Sequence, residues 1–353
     1  MNLTVLYCGI DTLEATFVGD LVEGLADEFD LCKLTAQAKD VPEDFPIDGE
    51  PFFVSPRGTG KYAWVLGDWR MLLRLSRSTK PGMPTASIRL RAHALASEGH
   101  ALLWDQAVSV LGKLGSLVPN TLSRIDLCCD VQGLDLTDAD FERLVCPATY
   151  RAIHKDGEGV TYQVGKGDVV MRIYRKDAEL KAKNKLSYAR VWESHPAYDP
   201  EAPVWRIEIQ LRGQVLKELN ARQVETAFSK LGALWRFGLS WGELRVPTAD
   251  STKKRWPVDL VWTLLSEVWG PGEPEPRIRV AASLEREERV LARVLGALAT
   301  LGAYSDQSDL TEVMIQTLPR LERTLKDRGI EFADLVEAKT ARVGFEEEVG
   351  SYE

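Results

Sequence analysis

The chain has 353 residues, 44% of them hydrophobic, and a formal net charge of −9, a length and apolar content that suit a globular protein of about two domains with a sizeable core. No apolar run is long enough to span a bilayer, and the N-terminal MNLTVLYCGID lacks the basic region and cleavage site of a signal peptide, so no membrane role and a cytoplasmic location are expected. The five cysteines, Cys8, Cys32, Cys128, Cys129 and Cys146, form no C-x-x-C pair, which argues against a disulfide framework or a cysteine zinc site and for reduced, mostly buried thiols.

From the N-terminus, TLEATFV reads as a strand, DLVEGLADEF as a helix, YAWVLGDWRMLLRL and SIRLRAHAL as further strands, and WDQAVSVLGKLGSL as a helix. The order then recurs: strand SRIDLCCDV, helix DADFERLV, strands TYQVGKGDVVMRIYRK and VWRIEIQLRG, helix QVETAFSKLGALW. The hairpins YAWVLGDWRM and YQVGKGDVVM share a tyrosine, a Gly-Asp pair and a methionine at nearly matching offsets. Internal duplication is the reading, with chance similarity of two hairpins as the alternative. Gly67 and Gly167 are expected to supply positive φ in the two tight turns. SPRGTGKY, residues 55 to 62, lacks the leading glycine of a phosphate-binding loop and has Tyr62 where Ser or Thr belongs, so it reads as a turn.

Helix PVDLVWTLLSEVW is stopped by the proline- and glycine-rich linker WGPGEPEPR at 269 to 277. Beyond it, SLEREERVLARVLGALATLGAY and LTEVMIQTLPRLERTLKDRG have helical periodicity; Pro319 should kink the second helix and Gly329 should cap it. The acidic GFEEEVGSYE is expected to be disordered. The fold class is therefore α+β: a duplicated strand-helix-strands-helix unit followed by a helical C-terminal region. Its domains are expected at 1–120, 121–246 and 257–353.

Charge is unevenly spread. Residues 1 to 50 carry twelve acids against two bases, whereas residues 151 to 190 carry ten Lys or Arg against five acids. Residues 66 to 95 are also basic, with Arg70, Arg74, Arg77, Lys80, Arg89 and Arg91 against Asp68. Basic tracks on an acidic body are compatible with nucleic-acid binding, although a solvated face is the commoner cause of one cluster.

Strand alternation sharpens this. In SRIDLCCDV, Arg124, Asp126, Cys128 and Asp130 share one face; in VMRIYRK, Arg172, Tyr174 and Lys176 do; in VWRIEIQLR, Arg206, Glu208 and Gln210 do. If the three strands are neighbours in one sheet, these groups converge. Clustered carboxylates repel one another unless a positive group sits among them, and Mg²⁺ or Mn²⁺ with oxygen ligands is the usual answer. Arginine forks suit phosphate oxygens, and a phenol becomes nucleophilic when a metal or basic cluster stabilises its phenolate. Those parts suit attack on a phosphodiester. Against this stands a plainer reading, in which the charges form cross-strand salt bridges on a solvated face and Tyr174 is a packing residue.

In order along the chain, RIDLCCD, RIYRKDAE and WRIEIQL match the patterns R-x-D-x-x-x-D, R-I-Y-x-K-x-x-E and W-R-x-E-x-x-L. Over residues 121 to 213 the chain thereby resembles the Rep_trans replication initiation factor family, the rolling-circle initiators of plasmids and phages and the related relaxases of conjugative elements. The resemblance implies a duplicated fold with curved, mainly antiparallel sheets. It also implies a tyrosine that nicks one DNA strand, keeps its 5′ phosphate and leaves a 3′ hydroxyl, with strand rejoining. Carried over, Tyr174 is the nucleophile, with Arg172, Arg206 and Lys176 as catalytic partners. Asp126, Asp130 and Glu208 are the metal-binding positions for Mg²⁺ or Mn²⁺, and Arg124 is a phosphate contact. Glu179 matches a motif acid without an assigned role. Arg74 stands where Tyr174 would in the first copy, making that half inactive and, with Arg89 and Arg175, a DNA contact. The implied partner is single-stranded or origin DNA, and the C-terminal helices are candidates for a homodimer or for docking a helicase. The scattered histidines, His93, His100, His154 and His195, exclude the nickases that use paired histidines. A non-catalytic nucleic-acid-binding protein and a relaxase-type transfer protein are the alternatives.

Overall fold

The computed structural model describes residues 3–77, 83–277 and 282–337, so the acidic tail GFEEEVGSYE lies outside the described residues. In the first half these elements follow in order: β1 (Thr4–Val18), α1 (Leu25–Lys39), β2 (Glu43–Asp44), β3 (Phe53–Val54), β4 (Trp64–Gly67), β5 (Met71–Leu75), β6 (Ala86–Leu90), α2 (Ala92–Glu98) and α3 (His100–Leu114). The second half opens with β7 (Val118–Gln132), α4 (Asp138–Glu142), β8 (Leu144–Val145), β9 (Arg151–Asp156), β10 (Gly159–Val164) and β11 (Val169–Arg175). It continues through α5 (Lys176–Ala182), α6 (Arg190–Glu193), β12 (Trp205–Arg212), α7 (Gln214–Glu218), α8 (Val224–Ser229), α9 (Leu231–Trp241), β13 (Glu243–Leu244) and α10 (Leu260–Ser266).

Among the described residues eleven strands form one sheet in the order β2-β3-β4-β5-β6-β1-β7-β12-β11-β10-β9, and β8 pairs separately with β13. Every pairing is antiparallel. The long strands β1 and β7 lie side by side in the middle. Outward from them, each half places its last strand first, β6 or β12, then β5 or β11, then β4 or β10. The α+β class with a large antiparallel sheet is thus what the chain adopts, and the two halves share a continuous sheet.

Alternation decides which face is the core. Leu13, Ala15 and Phe17 of β1, Ile125, Leu127 and Val131 of β7, Ile207 and Ile209 of β12, and Met171 and Ile173 of β11 are buried in one apolar cluster. Leu103, Trp104 and Leu111 of α3 and Leu234, Trp235 and Leu239 of α9 belong to the same cluster, as expected of helices covering one side of a sheet. Where the hairpin glycines were expected to turn the chain, the structure differs. Neither Gly67 nor Gly167 has positive φ; in the second hairpin that role falls to Gly165, at φ 78. In the first, the Asp68 carboxylate holds the turn by accepting from the backbone N–H of Arg70 at 2.8 Å and of Met71 at 2.7 Å.

The first compact unit runs to Ile278, beyond the boundary expected at 257. The reason is α10, whose Trp262 and Leu265 are buried in the main core and whose indole donates to the Gly242 carbonyl at 2.8 Å. The second unit contains α11 (Ala282–Tyr304) and α12 (Leu310–Arg328), which pack together. Asp309 caps α12 by accepting from the Glu312 N–H at 3.0 Å, Pro319 lies within the helix, and Gly329 ends it at φ 63. No helix among the described residues is long and apolar enough to cross a membrane.

Candidate active site

On the face of the sheet away from the main core, β7, β12 and β11 bring the motif residues into rows. Asp130, Arg206 and Tyr174 are direct cross-strand partners in one row, and Cys128, Glu208, Arg172 and Gln163 form the next. Asp126 sits opposite Gln210 in the row after that. The alternation expected of the three strands therefore holds, and their adjacency makes the polar faces coincide. Lys176 does not continue β11 as expected, because the strand ends at Arg175 and Lys176 opens α5. It nevertheless folds back, with its Nζ 5.5 Å from the Tyr174 ring centre and 5.3 Å from that of Tyr188. Arg175 points to the opposite face, where it pairs with Asp177 at 2.7 Å.

The charges are paired off in a definite pattern. Arg206 is 0% exposed and grips Asp130 through Nε at 2.5 Å and Nη2 at 2.7 Å, while its Nη1 meets Asp11 and Nη2 also donates to the Tyr188 hydroxyl at 2.7 Å. Trp192 donates to the same Asp130 carboxylate at 2.8 Å. Arg124 holds Asp126 through Nε at 2.8 Å and a second contact from Nη2. Arg172 donates to Glu208 at 2.9 Å and to Gln163 at 3.2 Å. Tyr174, 9% exposed, donates its O–H to Glu208 Oε2 at 3.0 Å.

Sequence reasoning missed Asp11, Tyr188 and Trp192. Asp11 escapes alternation because β1 has an irregularity between Ile10 and Thr12, which turns one extra residue toward the site. Tyr188 and Trp192 come from the helical excursion between β11 and β12. With Leu6, Leu180 and Val204 they form a second small apolar cluster on the site face. No strand pattern signals them.

The electrostatics correct one expectation. A metal or a basic cluster was expected to stabilise the phenolate; the protein's own groups do the reverse, since burial, followed by the Glu208 charge, pushes Tyr174 well above the ordinary phenol range, with Arg206 opposing. Burial and the neighbouring Asp11 also raise Glu208 above the usual carboxylate range, against Arg172 and Arg206. The hydrogen bond therefore joins a neutral phenol to a carboxyl that is a stronger base than an exposed one. Burial likewise carries Asp126 up to about 7, with the Glu208 and Asp11 charges adding to it against the bonded Arg124. Burial would raise Glu179, but Lys176 and Lys183 outweigh it and hold the carboxyl at about 2.

Among the described residues no group of three His, Cys, Asp or Glu side chains is spaced to hold a metal ion. Of the expected set, Asp130 is claimed on both oxygens by Arg206 and Trp192. Asp126 is likewise held on both oxygens by Arg124, and Glu208 by Arg172 on one oxygen and Tyr174 on the other. Mg²⁺ is commonly bound by one or two carboxylates with phosphate oxygens and water completing the shell, so an ion at Asp126 and Glu208 would take the place of guanidinium contacts that these carboxylates now make.

The Asp126 shift has a consequence for stability. Between the ordinary carboxyl value of 3.8 and about 7 the folded chain binds more protons there than the unfolded one. Stability should fall as pH rises through that window and level off above it. Thermal melts from pH 5 to 8 should show this decline, reduced in Asp126→Asn; an unchanged slope in the variant would contradict the assignment.

In the first half the row corresponding to Asp130, Arg206 and Tyr174 is Thr16, Ser87 and Arg74. Glu14 there lies 2.5 Å from Arg89, 3.4 Å from Arg74 and 3.7 Å from Arg124. A basic patch thus adjoins the tyrosine site through Arg124, which touches both Glu14 and Asp126.

No protein-family description matches the chain, and no curated protein is significantly similar to it. Among solved structures it is similar to one described as a rolling circle replication initiator protein from Geobacillus stearothermophilus, with 16% identity and a TM-score of 0.48. The match covers 79% of this chain and 100% of that one.

Proposed function

We propose that the chain is a replication-initiator-type nickase, in which Tyr174 attacks a DNA phosphodiester. The observation that carries this reading is the 3.0 Å hydrogen bond from the Tyr174 hydroxyl to Glu208, with Arg172 on the same carboxylate and Lys176 over the phenol ring. Glu208 takes the phenolic proton as the phenolate oxygen forms a bond to phosphorus. The bond from phosphorus to the 3′ oxygen breaks, leaving a 5′-phosphotyrosine and, after proton uptake, a free 3′ hydroxyl. Arg172, with a side chain 26% exposed, and Arg124, at 25%, are positioned to meet phosphate oxygens. Arg206 has no such freedom, and its role is to fix Asp130, Asp11 and Tyr188. Access to Tyr174 requires the segment carrying Lys176 and Tyr188 to move aside.

A Mg²⁺ or Mn²⁺ ion held by Asp126 and Glu208 is part of the proposal; when bound it would neutralise charge developing on the phosphoryl oxygens. Its readout besides cleavage is stability. Divalent cation at pH 8 should raise the melting temperature of the wild type and have little effect on Asp126→Asn.

The test of the reading is covalent capture. Wild-type protein incubated with single-stranded oligonucleotides and Mn²⁺ should give an adduct that survives denaturing gels and maps to Tyr174. Binding without an adduct on any substrate would instead support a non-catalytic DNA-binding protein.

A further inference from the structure

One surface is not used by the cleavage reading. From Arg124, beside Asp126, an unbroken row of cross-strand partners runs through Glu14, Arg89, Leu72 and Gly67 to Phe53. The row therefore stays on the sheet face that carries Tyr174. It ends at a concavity of about 520 Å³, whose walls include Phe53, Val65, Gly67, Trp69, Leu72 and Arg91.

Two features of this concavity point to its occupant. Phe53 is 43% exposed and Trp69 53% exposed, so two large rings face solvent around a floor made flat by Gly67. Arg91 lies over that glycine, its Nη2 3.3 Å from where a Cβ would stand, and has no ion-pair partner among the described residues. On the way toward Tyr174, the guanidinium groups of Arg74, Arg89 and Arg124 gather around Glu14, and Arg124 also pairs with Asp126. Exposed rings at the end of a basic track suit a strand whose backbone is anionic and whose bases offer flat π-faces.

The concavity is also joined to the site through packed rings. Trp69 meets His93 edge-on at 6.2 Å, His93 meets Tyr188 at 6.4 Å, and Arg206 lies 5.1 Å from the Tyr188 ring centre. A strand engaged at Tyr174 reaches the concavity by crossing the width of the central strands.

We propose that this concavity is a base-stacking site for single-stranded DNA flanking the phosphate at Tyr174. The proposal rests on the cleavage reading for its location along the strand, and on the exposed rings and free arginine for its chemistry.

The test uses the full chain and a labelled oligothymidylate, with affinity followed by fluorescence anisotropy over a range of salt concentrations. Trp69→Ala should weaken binding roughly ten-fold or more, with an unchanged salt slope. Phe53→Ala should act in the same way, while Arg91→Ala should weaken binding and flatten the slope by about one phosphate contact. A strand of the same length with abasic residues should bind wild type about as weakly as oligothymidylate binds Trp69→Ala. Trp69 and Phe53 are about half exposed, so thermal melts of both variants should show that the fold is retained. Wild-type affinity in both ring variants would overturn the proposal, as would equal binding of the abasic strand. If these dependences hold but no adduct forms at Tyr174, the cleavage reading falls and the stacking site stands.

Discussion

Removing the Tyr174 hydroxyl is expected to abolish covalent strand attachment outright, and Glu208→Gln to slow it by about 10²- to 10⁴-fold, the usual worth of a positioned general base. The second variant discriminates more sharply. Glu208 acts as a base only when ionised, and burial with the nearby Asp11 charge holds its pKa above the usual carboxylate range. In the wild type the attachment rate should therefore rise with pH through that raised pKa and flatten above it. Glutamine has no proton to lose, so the part of the rising limb due to Glu208 should vanish while the hydroxyl keeps a hydrogen-bond acceptor. Single-turnover rates from pH 5 to 9 would read both effects, with Tyr174→Phe as the blank. A Glu208→Gln enzyme with the wild-type rate and profile would rule out the base role.

Much of this site was legible in the sequence because a strand has a fixed period of two. Arg124, Asp126 and Asp130, then Arg172 and Tyr174, then Arg206 and Glu208 could be assigned to common faces from their spacing alone. The adjacency of the three strands made those faces one. What spacing could not give is register, irregularity and distance along the chain. The shift at Ile10 and Thr12 turns Asp11 toward the site, and a local departure of this kind leaves no trace in an alternating pattern. Tyr188 and Trp192 arrive from a helical excursion with its own small core. The partner of each charge was equally hidden. Spacing does not show that each carboxylate also has its own guanidinium partner: Arg124 for Asp126, Arg206 for Asp130 and Arg172 for Glu208. The same ambiguity affects the helical boundary at 257, since the periodicity of α10 does not reveal that Trp262 belongs to the core of the preceding unit.

The largest stability effect is expected at Arg206. Its guanidinium is 0% exposed and bonded to Asp130, Asp11 and Tyr188. Arg206→Met would leave Asp130, itself 0% exposed, with only the Trp192 indole as a donor among the described residues. Stranding one charge of a buried pair costs about 3–5 kcal/mol, and at about 2–4 °C per kcal/mol for a larger domain the melting temperature should drop by the order of 10 °C. Arg206→Lys should recover little, because a single ammonium cannot span Asp130 and Asp11 as the fork does. The double variant separates the causes. If the cost comes from an unpaired Asp130, Arg206→Met with Asp130→Asn should be more stable than Arg206→Met alone, since the amide needs no countercharge. If the double variant is instead less stable by the sum of the two single losses, the two side chains act independently. Arg206 would then matter through its packing and its bonds to Asp11 and Tyr188.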